Sequence, residues 1–171
     1  MLSPLRIVID LREQTPWAWT PDMVTPEMKS LNAGDYALAE DCEAEKGKKS
    51  LSVRFAIERK SLDDFLGTIG SNWDRFQREM ERMNGFPARI IIVEGNFADL
   101  CFREDKGVLL PPEHSHPNMR PSFVARRIAE LALSGITTLF AGDASLAAGL
   151  AYRIFRRRHE SLKESATIPC Q

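Results

Sequence analysis

The sequence has 171 residues, of which 43% are hydrophobic and 27% are charged, and its formal net charge at pH 7 is −1. These values are typical of one soluble globular domain with its own apolar core, and they exclude a generally basic nucleic-acid coat protein. No apolar run approaches the roughly 20 residues that span a membrane. The N-terminus lacks a basic region followed by an apolar one, so we expect no secretory signal. The three cysteines are widely separated, which fits a reducing compartment. We therefore expect an intracellular protein without a membrane partner.

The pattern of apolar residues predicts strands first and then strands alternating with helices. In chain order, the predicted elements are strands at 5–9, 36–38 and 51–60, helices at 62–69 and 73–83, a strand at 89–93, a helical turn at 97–102, a helix at 122–133, a strand at 136–140 and a helix at 144–158. This order predicts an α/β fold in which a mixed central sheet is flanked by helices.

In the remaining segments, the apolar residues show no helical or strand periodicity. The prolines that follow the first strand predict extended or looped chain, residues 39–50 predict an exposed hairpin loop, and the proline-rich stretch at 103–121 predicts a long loop. Ser122 is the predicted N-cap of the helix after that loop. We expect a single domain over residues 1–162, followed by a flexible tail at 163–171.

Alternation within the strand at 51–60 separates its side chains into two sets. Glu58 and Lys60 share one face with Arg54 and Ala56, whereas Arg59 points the other way. The other face is expected to carry Val53, Phe55 and Ile57. Ser61 and Asp64 follow at the spacing of an S-x-x-D cap, so Asp64 is expected to cap the next helix.

Three carboxylates are candidates for one site. Asp10 ends the first strand, Asp35 stands in a Gly34-Asp35 turn, and Glu58 lies in the third strand. Carboxylates gathered at adjacent strand ends would repel one another and take up protons unless a cation neutralised them. Their hard oxygens suit Mg²⁺ or Mn²⁺, which would stabilise a phosphodiester under attack. Lys60 could orient the water or neutralise developing charge. The pattern therefore predicts metal-dependent hydrolysis.

Each of these residues alone also fits a structural role. Asp10 and Gly34-Asp35 are ordinary turn residues, and Glu58 with Lys60 could form an exposed ion pair. The arginines at 75, 78 and 82 fit a solvated helix face. His114 and His116 have no third ligand nearby and are poor candidates for a zinc site.

Together these residues carry a specific resemblance. Glu58 to Asp64 reads ERKSLDD and matches ERKxxxD, and Gly34-Asp35 precedes it at a suitable distance. The pair resembles the GD…ERKxxxD signature of the XPF-type structure-specific endonucleases, which include the archaeal Hef nucleases. The flanking segments also resemble that family: VIDLRE at 8–13, RFQREM at 75–80 and IIIVEG at 90–95. The resemblance covers residues 5–158.

The resemblance implies a restriction-endonuclease-like core, with a central mixed sheet and helices on both sides. It implies a Mg²⁺- or Mn²⁺-dependent cut in one DNA strand near a duplex/single-strand junction, such as a flap, fork or bubble, in repair or recombination. By position, it assigns the metal carboxylates to Asp10, Asp35 and Glu58 and the catalytic lysine to Lys60. Supporting roles are assigned to Arg12, Glu13, Arg59 and Asp64.

This sequence lacks the tandem helix-hairpin-helix module with which larger members of that family grip DNA and dimerise. Dimerisation, affinity for DNA and junction specificity therefore stay open. DNA binding could come from a homodimer or a partner protein, or from the proline-rich loop and the protein's own arginines. The candidates for such contacts are Arg75, Arg78, Arg126, Arg127, Arg156, Arg157 and Arg158.

Two other functions stay open at this point. The first is a catalytically silent DNA-binding or scaffold subunit, and the second is the same hydrolysis on linear duplex ends, single strands or RNA. The complete set of acids with the lysine favours an active endonuclease over the silent subunit. It does not distinguish between the substrates, because hydrolysis of any phosphodiester needs the same carboxylates.

Overall fold

Ten strands and five helices are present in the computed structural model, which describes residues 3–101, 103–110 and 119–167. The strands are β1 (Leu5–Asp10), β2 (Val24–Lys29), β3 (Tyr36–Leu38), β4 (Cys42–Glu43), β5 (Ser52–Val53), β6 (Ile57–Ser61), β7 (Arg89–Glu94), β8 (Arg103–Asp105), β9 (Val108–Leu110) and β10 (Ile136–Phe140). The helices are α1 (Leu62–Ile69), α2 (Trp73–Glu81), α3 (Phe97–Cys101), α4 (Pro121–Leu133) and α5 (Ala144–Thr167), and a 3₁₀ turn spans Ala39–Asp41.

Six of these strands form one central sheet in the order β10-β7-β6-β3-β1-β2. Strand β3 runs antiparallel to both of its neighbours, whereas the other adjacent pairs are parallel. The two remaining strand pairs, β4–β5 and β8–β9, are separate antiparallel hairpins. The predicted α/β fold with a mixed central sheet is confirmed.

Helices cover both faces of the sheet because its strands are apolar on both sides. One core cluster joins strand residues such as Ile91 and Val93 to α1, α2 and α4. The other joins Ile90 and Ile92 to α5, where Phe155 is fully buried. Successive residues of β7 thus alternate between the two cores, as a pleated strand requires. Charged residues in β6 must therefore face one helix layer or the other.

The predicted strand at 51–60 is divided in the structure. Val53 belongs to the short β4–β5 hairpin, and the chain bends at Arg54 and Phe55 before β6 begins at Ile57. Val53 consequently lies in the α1–α2 core while Phe55 and Ile57 lie in the α5 core, so their predicted common face is wrong. The alternation beyond Ile57 is as predicted.

Strand β2 was not predicted, because Pro26 and three charged or polar neighbours hide it. It lies at the edge of the sheet, where a proline can be accommodated without breaking a ladder on both sides. The predicted long loop at 103–121 is wrong over 103–110, which form the β8–β9 hairpin. Residues 111–118, with His114 and His116, lie outside the described residues.

The two last helices differ from their predicted ends. Helix α4 begins at Pro121 with Arg120 as its N-cap, so the predicted cap at Ser122 is wrong. Proline suits the first helical position because its missing N–H would have no partner there. Helix α5 continues to Thr167, so residues 163–167 are helical rather than a tail, and 168–171 lie outside the described residues. Within the part of the chain that is described, no helix has the length and apolar character to cross a membrane.

Candidate functional site

The three candidate acids lie on neighbouring strands. The backbone amide of Asp10 donates to the carbonyl of Asp35 at 2.8 Å, and the amide of Asp35 donates to the carbonyl of Ile57 at 3.0 Å. These bonds extend the β1–β3 and β3–β6 ladders by one step. They place Asp10, Asp35 and Glu58 side by side across the sheet, although they come from three distant parts of the sequence.

A cavity of about 220 Å³ opens beside β6 on the side of α2. Its acidic lining residues are Asp35, Glu58 and Glu79, and its basic lining residues are Arg12, Lys60, Arg75 and Arg82. Glu58 and Lys60 face the cavity because they occupy alternate positions of β6, as the sequence pattern predicts. Glu79 and the arginines at 75 and 82 come from one face of α2 and its C-cap.

Asp35, Glu58 and Lys60 are electrostatically linked. Lys60 Nζ donates to Glu58 Oε1 at 2.7 Å, and the backbone amide of Arg59 donates to Asp35 Oδ2 at 2.7 Å. Burial and the negative charge of Glu58 raise the pKa of Asp35 to about 8. Burial alone would lower the pKa of Lys60, but attraction to Glu58 and its hydrogen bond raise it. Lys60 is thus protonated, and the negative charge of Glu58 together with burial makes ionisation of Asp35 unfavourable.

Asp10 is placed differently from the other two acids. It is fully buried, and its Oδ1 accepts bonds from the backbone amide and Nε of Arg12 at 2.8 and 2.7 Å. Its Oδ2 accepts from the amide of Leu31 at 2.7 Å and from Nη2 of Arg12 at 3.1 Å. Burial would raise the pKa of Asp10, but these bonds lower it. Asp10 is not among the residues that line the cavity, and its role as a metal ligand stays a prediction.

Arg59 projects to the opposite face of the sheet, as its position in β6 predicts. Its Nε and Nη2 donate to the two carboxylate oxygens of Glu94 at 2.7 and 2.8 Å. Its Nη1 donates to Glu13 at 2.9 Å and to Thr15 at 3.0 Å. Trp17 Nε1 also donates to Glu94, at 2.5 Å. Arg59 therefore supports the site from behind, through its backbone amide, rather than from inside the cavity.

Glu94 is a residue of this network that sequence reasoning missed. Burial would raise its pKa, but hydrogen bonds from Arg59 and Trp17 hold it below the usual range. The signal was present in the sequence, since Glu94 is the charged last residue of the most apolar strand. Its partner, Arg59, could be identified only from the parallel pairing of β6 and β7, in which Ser61 is opposite Glu94.

Asp64 has the predicted capping role. Its backbone amide donates to Ser61 Oγ at 3.1 Å, and the Ser61 hydroxyl donates to the Asp64 carboxylate at 2.8 Å. Asp64 also lines a second cavity of about 420 Å³ between α1 and α2. This cavity adjoins the first, because Lys60, Arg75 and Glu79 line both of them.

The arginines predicted to contact DNA lie on three helices, α2, α4 and α5. On α2, Arg75 lines both cavities and donates to Glu79 at 3.2 Å, whereas Arg78 is not among the lining residues. On α4, Arg126 and Arg127 both pair with Glu130. The guanidinium of Arg127 also lies 4.2 Å from the ring centroid of Trp73, which ties α4 to α2.

The arginines of α5 are bound within the protein. Arg156 donates to the carbonyl of Ser3 and the hydroxyl of Tyr152, at 3.0 and 2.9 Å. Arg157 pairs on the surface with Glu160 and Glu164. Arg158 makes two bonds, of 2.7 and 3.0 Å, to the fully buried carboxylate of Asp41. Of these three, only Arg157 is exposed. Arg156 and Arg158 are half-buried and have structural partners that DNA would have to displace.

Two carboxylates at the cavity could hold a hard cation. Over the described ranges, no group of three or more His, Cys, Asp and Glu side chains is arranged to bind a metal ion. Mg²⁺, however, commonly uses one or two carboxylates and completes its shell with water and phosphate oxygens. Asp35 and Glu58 fit that donor set, and the raised pKa of Asp35 indicates negative charge that a cation would neutralise.

Comparison with known proteins gives one matching family model and one curated relative. The family model described as "ERCC4 domain" matches residues 9–154. A curated relative, a putative ATP-dependent RNA helicase of Methanocaldococcus jannaschii, is 28% identical over 109 residues, which cover 63% of this chain and 12% of that protein. This chain therefore spans only about an eighth of that relative's length.

Solved structures are similar in fold. XPF from Aeropyrum pernix matches with a TM-score of 0.60 at 21% identity, covering 94% of this chain and 68% of that one. The same protein in complex with DNA matches with a TM-score of 0.60 at 22% identity, covering 92% and 66%. The core implied by the sequence resemblance, a central mixed sheet with helices on both sides, is thus confirmed, and this fold is shared with XPF from Aeropyrum pernix.

Proposed function

Since the chain belongs to the ERCC4 domain family, we propose that it is a metal-dependent DNA endonuclease that cuts one strand near a duplex/single-strand junction. The observation that carries this proposal is the cavity in which Asp35 and Glu58 face Lys60. Buried carboxylates beside a buried lysine are costly for stability alone. The likeness to a XPF structure that contains DNA supports DNA as the polymer.

The residues of the cavity have separable tasks. Asp35 and Glu58 would hold a Mg²⁺ or Mn²⁺ ion, which supplies Lewis acidity to the phosphodiester and lowers the pKa of a bound water when present. Lys60 keeps its proton through Glu58 and can neutralise charge that develops on the phosphate. Arg12 stands at the rim, held by Asp10, and its exposed guanidinium can bind a phosphate oxygen. Arg59 orients Asp35 through its backbone amide.

Cleavage assays test this proposal. Labelled fork, flap, nicked, duplex and RNA substrates would be incubated with Mg²⁺ or Mn²⁺ and the wild-type protein. We expect cleavage of the branched DNA, and a loss of about 100-fold or more in Asp35→Ala and Lys60→Ala. Lys49→Ala, in an exposed turn, removes the same charge as Lys60→Ala and should cut at the wild-type rate. Undiminished cutting by both site variants would refute the assignment.

A catalytically silent DNA-binding or scaffold subunit is the second candidate function. It is favoured by Asp10, because both of its carboxylate oxygens accept hydrogen bonds from Arg12 or Leu31. Of the three predicted metal carboxylates, only Asp35 and Glu58 therefore line the cavity. The two functions differ in metal uptake. A bound ion stabilises the folded state, by about 2.7 kcal/mol at a hundredfold excess over its dissociation constant. A melting temperature that Mg²⁺ and Mn²⁺ leave unchanged, with branched DNA still bound, would favour the silent subunit.

A second protein chain could add DNA contacts to those of this domain. We propose a homodimer or a DNA-binding partner protein, since the α5 arginines are already occupied within the protein. Sedimentation of the purified protein alone and with fork DNA distinguishes these alternatives by mass.

A further inference from the structure

One face of α2 runs along both cavities of the site. Arg75, Glu79 and Arg82 recur at the i, i+4 and i+7 spacing that places side chains in one row of a helix. Arg82 is the C-cap, but its backbone is still helical, with φ −64° and ψ −20°. The adjacent side of α2 is anchored by the buried Phe76 and Met80. The row is therefore held in place by the core and faces the cavity.

The four cations at the smaller cavity differ in their partners. Arg12 pairs with Asp10, Lys60 with Glu58, and Arg75 with Glu79. Arg82 is exposed, and its side chain has no ion-pair or hydrogen-bond partner among the residues that the structure describes. Within those residues, no partner therefore neutralises its charge at the cavity that Asp35 and Glu58 also line.

We propose that Arg82 binds a phosphate of the cut strand, next to the phosphate that occupies the cavity. This inference rests on the proposed function and assigns one anchoring contact to it. A guanidinium presents a planar fork of donors that matches two phosphate oxygens, and it forms such pairs without losing its charge. Because the side chain of Arg82 has no ion pair with any described residue, binding a phosphate breaks none of the ion pairs in that part of the chain.

The distance between Arg75 and Arg82 along α2 indicates how a DNA strand could lie at the site. Seven residues of helix rise about 10 Å between Arg75 and Arg82, a distance over which a DNA duplex advances about three steps of 3.4 Å along its axis. Arg75 and Lys60 line both cavities, whereas Arg82 lines the smaller one. A DNA strand lying along α2 could thus contact both arginines, with Arg82 at the smaller cavity.

Binding measurements with Arg82→Gln test the assignment. The affinity for a fluorescently labelled fork DNA would be measured in EDTA, where no cleavage occurs, over a series of salt concentrations. We expect binding about five- to tenfold weaker than wild type, and a slope of log K against log salt that is smaller by about 0.7 to 0.9, the contribution of one phosphate contact. Unchanged thermal melting would show that the variant is folded, as the exposure of Arg82 leads us to expect.

Two matched variants separate a phosphate contact from a general loss of charge. Arg153→Ala, on the exposed side of α5, should bind and cut like wild type. Arg78→Ala removes the same charge from the same helix but outside the cavity lining. Equal losses in Arg78→Ala and Arg82→Gln would overturn the assignment, as would a wild-type salt slope in Arg82→Gln. If the wild-type protein neither bound nor cut DNA, the proposed function itself would fall, which is a different outcome.

Discussion

Glu94 accepts hydrogen bonds from Arg59 on both of its carboxylate oxygens, and both side chains are largely buried, at 12% and 15% exposure. The same arginine donates its backbone amide to Asp35 on the neighbouring strand. A contact on the α5 side of the sheet is thereby connected to the cavity on the α2 side, through a single residue of β6.

Removing Glu94 should destabilise the protein strongly. In Glu94→Ala, Arg59 keeps Glu13 but loses its two strongest bonds, and the indole of Trp17 loses its acceptor. We expect the free energy of unfolding to fall by about 2 to 4 kcal/mol, measured by urea denaturation. Glu27→Ala breaks the exposed pairs of Glu27 with Arg6 and Lys29 and should lower the free energy of unfolding much less than Glu94→Ala does. Equal costs for the two variants would contradict the importance of the buried pair.

Asp35 should make stability decrease as the pH rises. Its pKa is about 8 in the folded protein against an ordinary 3.8, so between these values the folded state holds a proton that the unfolded chain has released. In metal-free buffer, this contributes a loss of up to about 1.4 kcal/mol per pH unit from pH 5 to 8 and nothing further above that window.

The Asp35→Asn variant isolates this contribution. It should be more stable than wild type at pH 8, because it buries no second negative charge beside Glu58, and the difference should shrink toward pH 5. Asp10 and Glu94 have lowered pKa values and lose their contributions only as the pH falls through those values, outside this window. Parallel pH profiles for wild type and Asp35→Asn would contradict the raised pKa.

Arg158 and Arg157 are adjacent in the chain but should respond differently to substitution. Arg158→Ala leaves the buried Asp41 with only Arg54, 3.9 Å away, and should cost about 3 kcal/mol of unfolding free energy. Arg157→Ala breaks two surface pairs and should leave the free energy of unfolding nearly unchanged. Urea denaturation of both variants measures the contrast. A small effect of Arg158→Ala would mean that Asp41 finds another partner.

Gly34, which precedes Asp35, should tolerate no side chain. Its φ of +70° is unfavourable for other residues, and an added Cβ would overlap the Cβ of Ala56. We expect Gly34→Ala to cost about 3 kcal/mol, of which the backbone conformation accounts for 1 to 2. Gly85→Ala is the control, since Gly85 also has a positive φ but nothing lies within 4 Å of its added Cβ. A similar melting temperature for the two variants would show that the overlap is relieved without cost.

Sequence reasoning predicted the elements whose apolar pattern is strong. Strand β7 is a continuous apolar run and α1 has a capped start with three fully buried apolar side chains, so both were predicted at nearly their observed bounds. Strand β2 was missed because its pattern is polar and contains Pro26, and only its pairing with β1 makes it a strand. Local pattern is weakest where a neighbouring strand determines the structure.

In the candidate site too, the local pattern predicted some features, whereas others depend on tertiary packing. The common face of Glu58 and Lys60 follows from the period of a strand, and it is observed. The bonds of Asp10 to Arg12 and Leu31 depend on how the loop after β1 packs, and no local pattern contains that information. Likewise, Glu94 could be assigned to Arg59 only after β6 and β7 were known to be neighbours in parallel.

The pairing of Tyr36 with Ile57 across β3 and β6 restricts where this chain can gain or lose residues. A residue inserted at 44–50, in the exposed turn of the β4–β5 hairpin, leaves that pairing and everything after it unchanged. A residue inserted between Ile57 and Glu58 would turn each later side chain of β6 to the opposite face, so that Arg59 would enter the cavity position and the glutamate would leave it. Related chains that keep the activity should therefore vary in length in that turn and be constant in length from Ile57 to Lys60.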